Sequence, residues 1–250
     1  MTSKAKSELN DFNFEVNSIS FNKEYEKINK YIDKNSHGKI KGIKKEDIND
    51  TDSLLLGSLY FNEVWKDKYR SKDIETRLFK GTKETKKVSF LSSEDEKYLH
   101  TDNAIGFMKK YQAKNLYFVG ILPNEGVTFD QVNINDLLDS NGECDVLFPE
   151  FEFEYNVDMK PVLKSLGINK IFAGGALDDF YKDAYVNKVL QKNYIKVNRK
   201  GTEAISIKET LSSTWGVGYH KKVILDRPFM FLIYDSSINQ VLFIGRVNNL

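Results

Sequence analysis

"RPFMFLIYDSSINQVLFIGRVNNL", residues 227–250, holds two runs rich in aromatic and β-branched residues. Between them lies the polar stretch Asp235-Ser236-Ser237-Ile238-Asn239. Two strand-like runs around a short polar turn read as a β-hairpin, so strands are expected over 223–234 and 241–247. Working outward, Phe12, Phe14 and Val16 alternate with polar residues as in a half-buried strand. "LLLGSLYFNEVW" (54–65) reads as a buried strand, and "LYFVGILPNEG" (116–126) as a strand ending in a turn. "VLFPEFEFEY" (146–155) alternates Phe151, Phe153 and Tyr155 with Glu152 and Glu154, and residues 186–198 are strand-like as well. Helices are few. One is expected over 22–34, with Tyr25, Ile28 and Ile32 in a stripe, Asn22 as cap and Gly38 past its end. A short second helix runs from an Asp158 cap through Met159, Val162, Leu163 and Leu166 to Gly167, with Pro161 in its first turn. Many strands and few helices, without regular alternation, predict an α+β fold with mostly antiparallel sheets. No linker is evident, and one domain over 1–250 is expected.

The 250 residues, 40% of them hydrophobic, suffice for a sizeable core. Lys+Arg 37 against Asp+Glu 36 leaves no global positive field, so no nucleic-acid partner is expected. No apolar run reaches the ~18 residues of a membrane span. The first residues, "MTSKAKSELNDFNF", lack the apolar centre of a signal peptide.

Enzyme chemistry finds little support. His37, His100 and His220 are far apart and lack metal-ligand spacing, so solvated histidines are the simpler reading and no metal or cofactor is expected. Cys144, the single cysteine, would need an activating base to act as a nucleophile; a half-buried structural cysteine explains it as well. Neither a G-x-S-x-G elbow nor a Walker loop is present. "HGKIKGIKK" (37–45) is basic, but Glu46 and Asp47 follow at once, which suits a solvated helix exit. Asn49-Asp50-Thr51 matches a glycosylation sequon, a frequent chance pattern.

Several segments in order resemble the serpin family. "INKYIDKNSHGKIKGI" (28–43) resembles that family's helix F and the start of the strand after it. "LLLGSLYFNEVWKDKY" (54–69), "VGILPNEG" (119–126) and "LFPEFEFEYNVDMKPVLKSLGINKIF" (147–172) resemble its later signatures. "KGTEAISIKET" (200–210) is similar to the hinge of its reactive loop, and residues 227–250 to its closing strand pair. The resemblance implies a serpin-like fold with an exposed reactive-centre loop near the C-terminus, over residues 201–216. It also implies a serine protease as partner and inhibition by suicide. The protease attacks the loop and forms an acyl-enzyme, the cut loop enters the main sheet as a strand, and the trapped protease cannot deacylate. Gly201, Thr202, Glu203 and Ala204 match the hinge. Counting from Gly201 puts the scissile bond near Trp215-Gly216, with Tyr219 as a second aromatic candidate. An aromatic there suits a chymotrypsin-like protease, although Trp215 also fits plain local packing.

Four departures bear on inhibition. The match begins just before helix F, so the family's N-terminal helices and one sheet strand have no counterpart; a second chain is one way to supply them. In an inserted loop Thr202, Ala204, Ser206, Lys208, Thr210 and Ser212 share one face, so Lys208 is expected to be buried while Ile205 and Ile207 point the other way. Arg199 and Lys200 stand where the family favours Glu beside the hinge, so a salt bridge there is expected to be lost or reversed. Gln191 and Gly57 stand where the family has a histidine and an asparagine of a buried network. These departures support the alternative of a non-inhibitory or truncated serpin-fold protein with a binding or structural role.

Overall fold

The computed structural model describes residues 21–48, 51, 53–180, 182–202 and 221–250. Its elements begin with α1 (Phe21–Ser36), β1 (Leu54–Tyr60), β2 (Glu63–Val64), β3 (Ile74–Lys80), β4 (Thr85–His100), β5 (Ala104–Lys110) and β6 (Leu116–Pro123). They continue with α2 (Ile134–Asp139), β7 (Glu143–Pro149), β8 (Phe151–Asp158), α3 (Lys160–Ser165) and β9 (Lys188–Asn198). Last come β10 (Gly201–Thr202), β11 (Lys221–Ile224), β12 (Phe229–Asp235) and β13 (Gln240–Val247). The chain divides into two compact units, residues 1–60 with 153–195, and residues 61–152 with 196–250.

In the first unit β1 runs parallel to β9, from Leu54 opposite Lys188 to Tyr60 opposite Tyr194. Helix α1 and the turn after it cover one face of this pair. Ile32, Ile40, Ile43, Ile48 and Tyr194 form a buried cluster, with Tyr25, Ile28, Leu54, Leu56, Tyr60 and Leu190 packed against it. The residues after α1 are pinned by Asn29, whose carboxamide both accepts from Ile43 N (2.7 Å) and donates to Ile43 O (3.0 Å). Lys192 is buried on this face, and its Nζ donates to the carbonyls of Lys41 (2.9 Å) and Gly42 (3.1 Å). Burial pulls its pKa down, against the opposing pull of Glu154 and Asp47.

The second unit holds a sheet in the order β11-β7-β4-β5-β6-β12-β13, with β3 also paired to β4. Every pairing is antiparallel except β11 with β7. Strand β4 joins three neighbours in turn, and its ladder with β7 shifts register between Ser93 and Glu96, where Asp95 has φ 56°. Phe118 lies at the centre of the aromatic core, within 6.1 Å centroid distance of Trp65, Phe107, Phe148 and Phe231. A second cluster, around Val119, Ile121, Met230 and Leu232, is closed by Leu137 of α2.

The α+β class and the mostly antiparallel pairing agree with the sequence reading, and so does the C-terminal hairpin of β12 and β13. Several boundaries differ. The run 54–65 is two strands with a break at Phe61-Asn62, and it is buried only in part: Leu55 and Gly57 are exposed, whereas Trp65 is fully buried. The stretch 146–155 breaks at Glu150, whose N–H turns to Ser89 O (2.8 Å), and Tyr155 beyond it is exposed. The stretch 223–234 is two strands, interrupted before Pro228, which has no N–H for a ladder. Helix α1 starts at Phe21, so Asn22 lies inside it. Helix α3 does form, with Pro161 in its first turn, yet Val162 and Leu166 are exposed. The strand expected at 12–16 and the sequon at 49–51 fall wholly or partly outside the described residues.

Candidate functional site

The residues expected to form the hinge begin where β9 ends. Asn198 starts a tight turn, its Oδ1 accepting from Lys200 N (2.8 Å), and the chain reverses through Arg199-Lys200 into β10. Gly201 then faces Asn198 on one side and Val64 on the other; Thr202 faces Val197 and Glu63. Both partners are antiparallel, so this two-residue stub already lies between two strands.

Glycine is required here by space. Gly201 has φ +144°, and a Cβ on it would come within 2.2 Å of Glu63 O and 2.5 Å of Val64 Cα. Thr202 is fully buried, and its Oγ1 shares a 2.6 Å hydrogen bond with the Tyr111 hydroxyl. Burial pushes the Tyr111 phenol far above its usual pKa, so it stays protonated and able to donate.

Tyr111 belongs to a shelf beneath the turn. Trp65 stacks on it at 4.7 Å between centroids and 8° between planes. The Trp65 indole N–H donates to Asn198 O (2.7 Å), and its backbone N–H to Lys200 O (3.3 Å). Under the shelf Lys109 Nζ lies 5.8 Å from the Trp65 ring and 4.8 Å from the Tyr69 ring, and bonds Glu96 Oε1 at 2.6 Å. The register shift in β4 brings Glu96 to this position. Burial raises the Tyr69 phenol well above its usual pKa, and its hydroxyl bonds Ser93 Oγ (3.2 Å).

Arg199 does not lack a partner. Glu150 Oε1 accepts from its backbone N–H (2.9 Å) and from Nε (3.4 Å). An ion pair beside Gly201 is therefore present, with Arg199 as its cation. Glu150→Ala is expected to cost about 1–2 kcal/mol, because it removes an acceptor of a main-chain N–H as well as a charge. Arg199→Ala, which leaves the main-chain bond, should cost less than about 1 kcal/mol. Urea unfolding of the two variants checks the order; equal losses would mean that the side-chain contact alone matters.

Gly57 and Gln191 lie directly opposite each other in the β1·β9 ladder. The Gln191 carboxamide donates to Asn193 Oδ1 on its own strand (3.2 Å), and a Cβ on Gly57 would meet nothing within 4 Å. Glu203, Ala204, Lys208, Trp215, Gly216 and Tyr219 lie outside the described residues, as does His220. His37 packs on Tyr60 and His100 on Tyr98, in different units. Cys144 is fully buried; burial, helped by Glu96 and Asp145, pushes its thiol up to about 12, which leaves it unreactive at neutral pH.

Of the four residues expected at the hinge, Gly201 and Thr202 lie among the described residues; the shelf of Trp65, Tyr111, Lys109 and Glu96 was not anticipated. The one available signal was Trp65, at the end of a quoted segment and rare in this chain.

Comparison with known proteins agrees with this geometry. The family model for "Serpin (serine protease inhibitor)" matches residues 5–250. Iripin-3 of Ixodes ricinus is 29% identical over 96% of this chain and 67% of its own length. Alaserpin of Manduca sexta is 30% identical over 88% of this chain and 62% of its own. The chain thus spans about two thirds of the length of such relatives. Among solved structures, the thermophilic serpin tengpin in its native state is 27% identical, with a TM-score of 0.78 over 90% of this chain and 63% of that one. Thyroxine-binding globulin in complex with thyroxine shares the fold, at 21% identity and a TM-score of 0.81 over 99% of this chain and 71% of that one. With the family model matched along nearly the whole chain, the chain belongs to the serpin family.

Proposed function

We propose that this protein is a serine-protease inhibitor that acts as a suicide substrate, with residues 201–216 as its reactive-centre loop. One observation carries the reading: β10 is a strand stub held antiparallel between β9 and β2, with Thr202 anchored on Tyr111. The chain leaving Thr202 thus starts in strand geometry, and each added residue can gain ladder hydrogen bonds and burial. At its far end the loop is tied down at Lys221, in the ladder of β11 with β7. A cut between the anchors frees the first half to enter the sheet. A protease still esterified to that half is carried along, and distortion of its oxyanion hole stalls deacylation. Trp215-Gly216 is the proposed scissile bond, and a chymotrypsin-like enzyme the proposed target.

The test is thermal stability before and after one clean cut within residues 208–219. Insertion predicts a rise of more than about 10 °C, at about 2–4 °C per kcal/mol for a domain of this size. It also predicts a covalent complex with chymotrypsin on a denaturing gel. A cut without a rise overturns the reading. A second reading, a non-inhibitory serpin-fold protein, is favoured by Gln191 bonding along its own strand with only Gly57 opposite. It predicts clean cleavage, no rise and no complex.

A further inference from the structure

The chain contains one Asn-Gly dipeptide, Asn141-Gly142, in the link from α2 to β7. In such a pair the asparagine carboxamide and the next backbone nitrogen meet with least obstruction, because glycine has no Cβ to shield that nitrogen.

The fold holds both ends of this link and leaves its centre open. On one side Ser140 N–H donates to Leu137 O (3.2 Å), and the Ser140 hydroxyl donates to Leu137 O (2.6 Å) and accepts from His100 N (2.8 Å). On the other side Gly142 O accepts from Tyr98 N (2.9 Å). Asn141 and Gly142 are both exposed. Neither the Asn141 carboxamide nor the Gly142 N–H has a hydrogen-bond partner among the described residues. Other asparagines are tied down. Asn29 bonds the backbone of Ile43, Asn103 bonds Gln131 O, Asn124 bonds Asp102 O, and Asn133 accepts from the first N–H groups of α2. Those carboxamides must give up hydrogen bonds before they can react, and Asn141 need not. Packing also keeps glycine at 142, since its φ is +154° and a Cβ would lie 3.3 Å from Cβ and Cδ1 of Tyr98.

We infer that Asn141-Gly142 is a site of spontaneous deamidation. The Gly142 nitrogen gives its proton to solvent base and attacks Asn141 Cγ. A C–N bond forms there, the Cγ–Nδ2 bond breaks, and Nδ2 leaves as ammonia with a proton from water. Water then opens the resulting succinimide. Opening at Cγ leaves an aspartate. Opening at the main-chain carbonyl leaves an isoaspartate, whose backbone runs through Cβ and Cγ and is one methylene longer. The net change consumes one water and releases one ammonia, and nothing is oxidised or reduced. The longer backbone falls between two fixed points, Ser140 and the Gly142 carbonyl. Just beyond them Glu143 and Cys144 pair with Lys97 and Glu96 of β4, and Cys144 also pairs with Lys221 of β11. Isoaspartate therefore loosens this end of β7, whereas aspartate, with the backbone length unchanged, leaves it in place.

The experiment incubates the full chain at mildly alkaline pH, folded and, as reference, unfolded in urea. Isoaspartate is read by peptide mapping and by methyl transfer from labelled S-adenosylmethionine with an isoaspartyl methyltransferase. In the folded chain it is expected at residue 141, at a rate that rises with pH and lies within roughly tenfold of the unfolded rate, or about 1.4 kcal/mol of barrier. The isoaspartyl fraction, separated by ion exchange, should melt about 2–4 °C below the Asn141→Asp variant. A folded rate at residue 141 more than roughly tenfold below the unfolded one overturns the site. An isoaspartyl fraction that melts together with Asn141→Asp overturns the effect on β7.

Discussion

Trp65→Ala is expected to lower the stability of the protein by about 3–5 kcal/mol, the range for removing a large aromatic from a packed core. Trp65 is fully buried, stacks on Tyr111, and meets Tyr69, Phe118 and Phe148 edge-on. No single neighbour can move in to fill the space, because each of these rings is held by others. The loss has a second part. The indole N–H is the donor to Asn198 O, so the alanine variant leaves that carbonyl at the hinge turn without this partner. Trp65→Phe separates the two parts. It keeps most of the ring contact and loses the N–H, so a loss of about 1–2 kcal/mol is expected. Urea denaturation with a common m-value reads both. A Trp65→Ala loss below about 1 kcal/mol would mean that the shelf does not hold the hinge.

The pair beneath the shelf gives the second large effect. Glu96→Ala leaves the Lys109 ammonium, 3% exposed, with the faces of Trp65 and Tyr69 as its partners among the described residues. Ring faces contribute about 0.5–2 kcal/mol, less than the desolvation of a buried ammonium, so a loss of about 3–5 kcal/mol is expected. Removing both charges with shape kept, as in Lys109→Met with Glu96→Gln, should return most of it. A double-mutant cycle measures the difference. If the double variant is as unstable as Glu96→Ala, the cost lies in packing and not in the unpaired charge.

How far the sequence led depended on what each segment is packed against. The C-terminal hairpin was readable because Phe229 to Ile233 form an unbroken apolar run that the structure buries between β6 and β13. The hairpin of β3 and β4 and the neighbouring β5 went unread. Residues 85–100 carry "TKKVSFLSSEDEKYLH", where lysines and glutamates break any period of two, yet the strand forms because three neighbours pair with it in succession. The alternation in "FEFEY" suggested one buried face, but while Phe151 is buried in the aromatic core Tyr155 is left exposed. Gly201 and Thr202 were singled out by the family resemblance as part of the expected hinge. Their supports were not, since Tyr111, Trp65 and Glu96 reach the hinge from remote parts of the chain. The basic pair Arg199-Lys200 read as the loss or reversal of a salt bridge; the carboxylate that answers Arg199 is Glu150, which no local spacing connects to it.

The place of β12 has a consequence for what a nick produces. The peptide that follows Trp215 contains this strand, hydrogen-bonded to β6 on one edge and to β13 on the other, with its middle residues buried. Severing the backbone upstream therefore creates two chains but only one particle. The smaller chain is an inner stave of the larger one's sheet and cannot be washed out, exchanged or lost by dilution while the fold stands. Under denaturing conditions the molecule counts as two, and under native conditions as one. Release of the smaller chain then has to begin with unfolding of the sheet around β12.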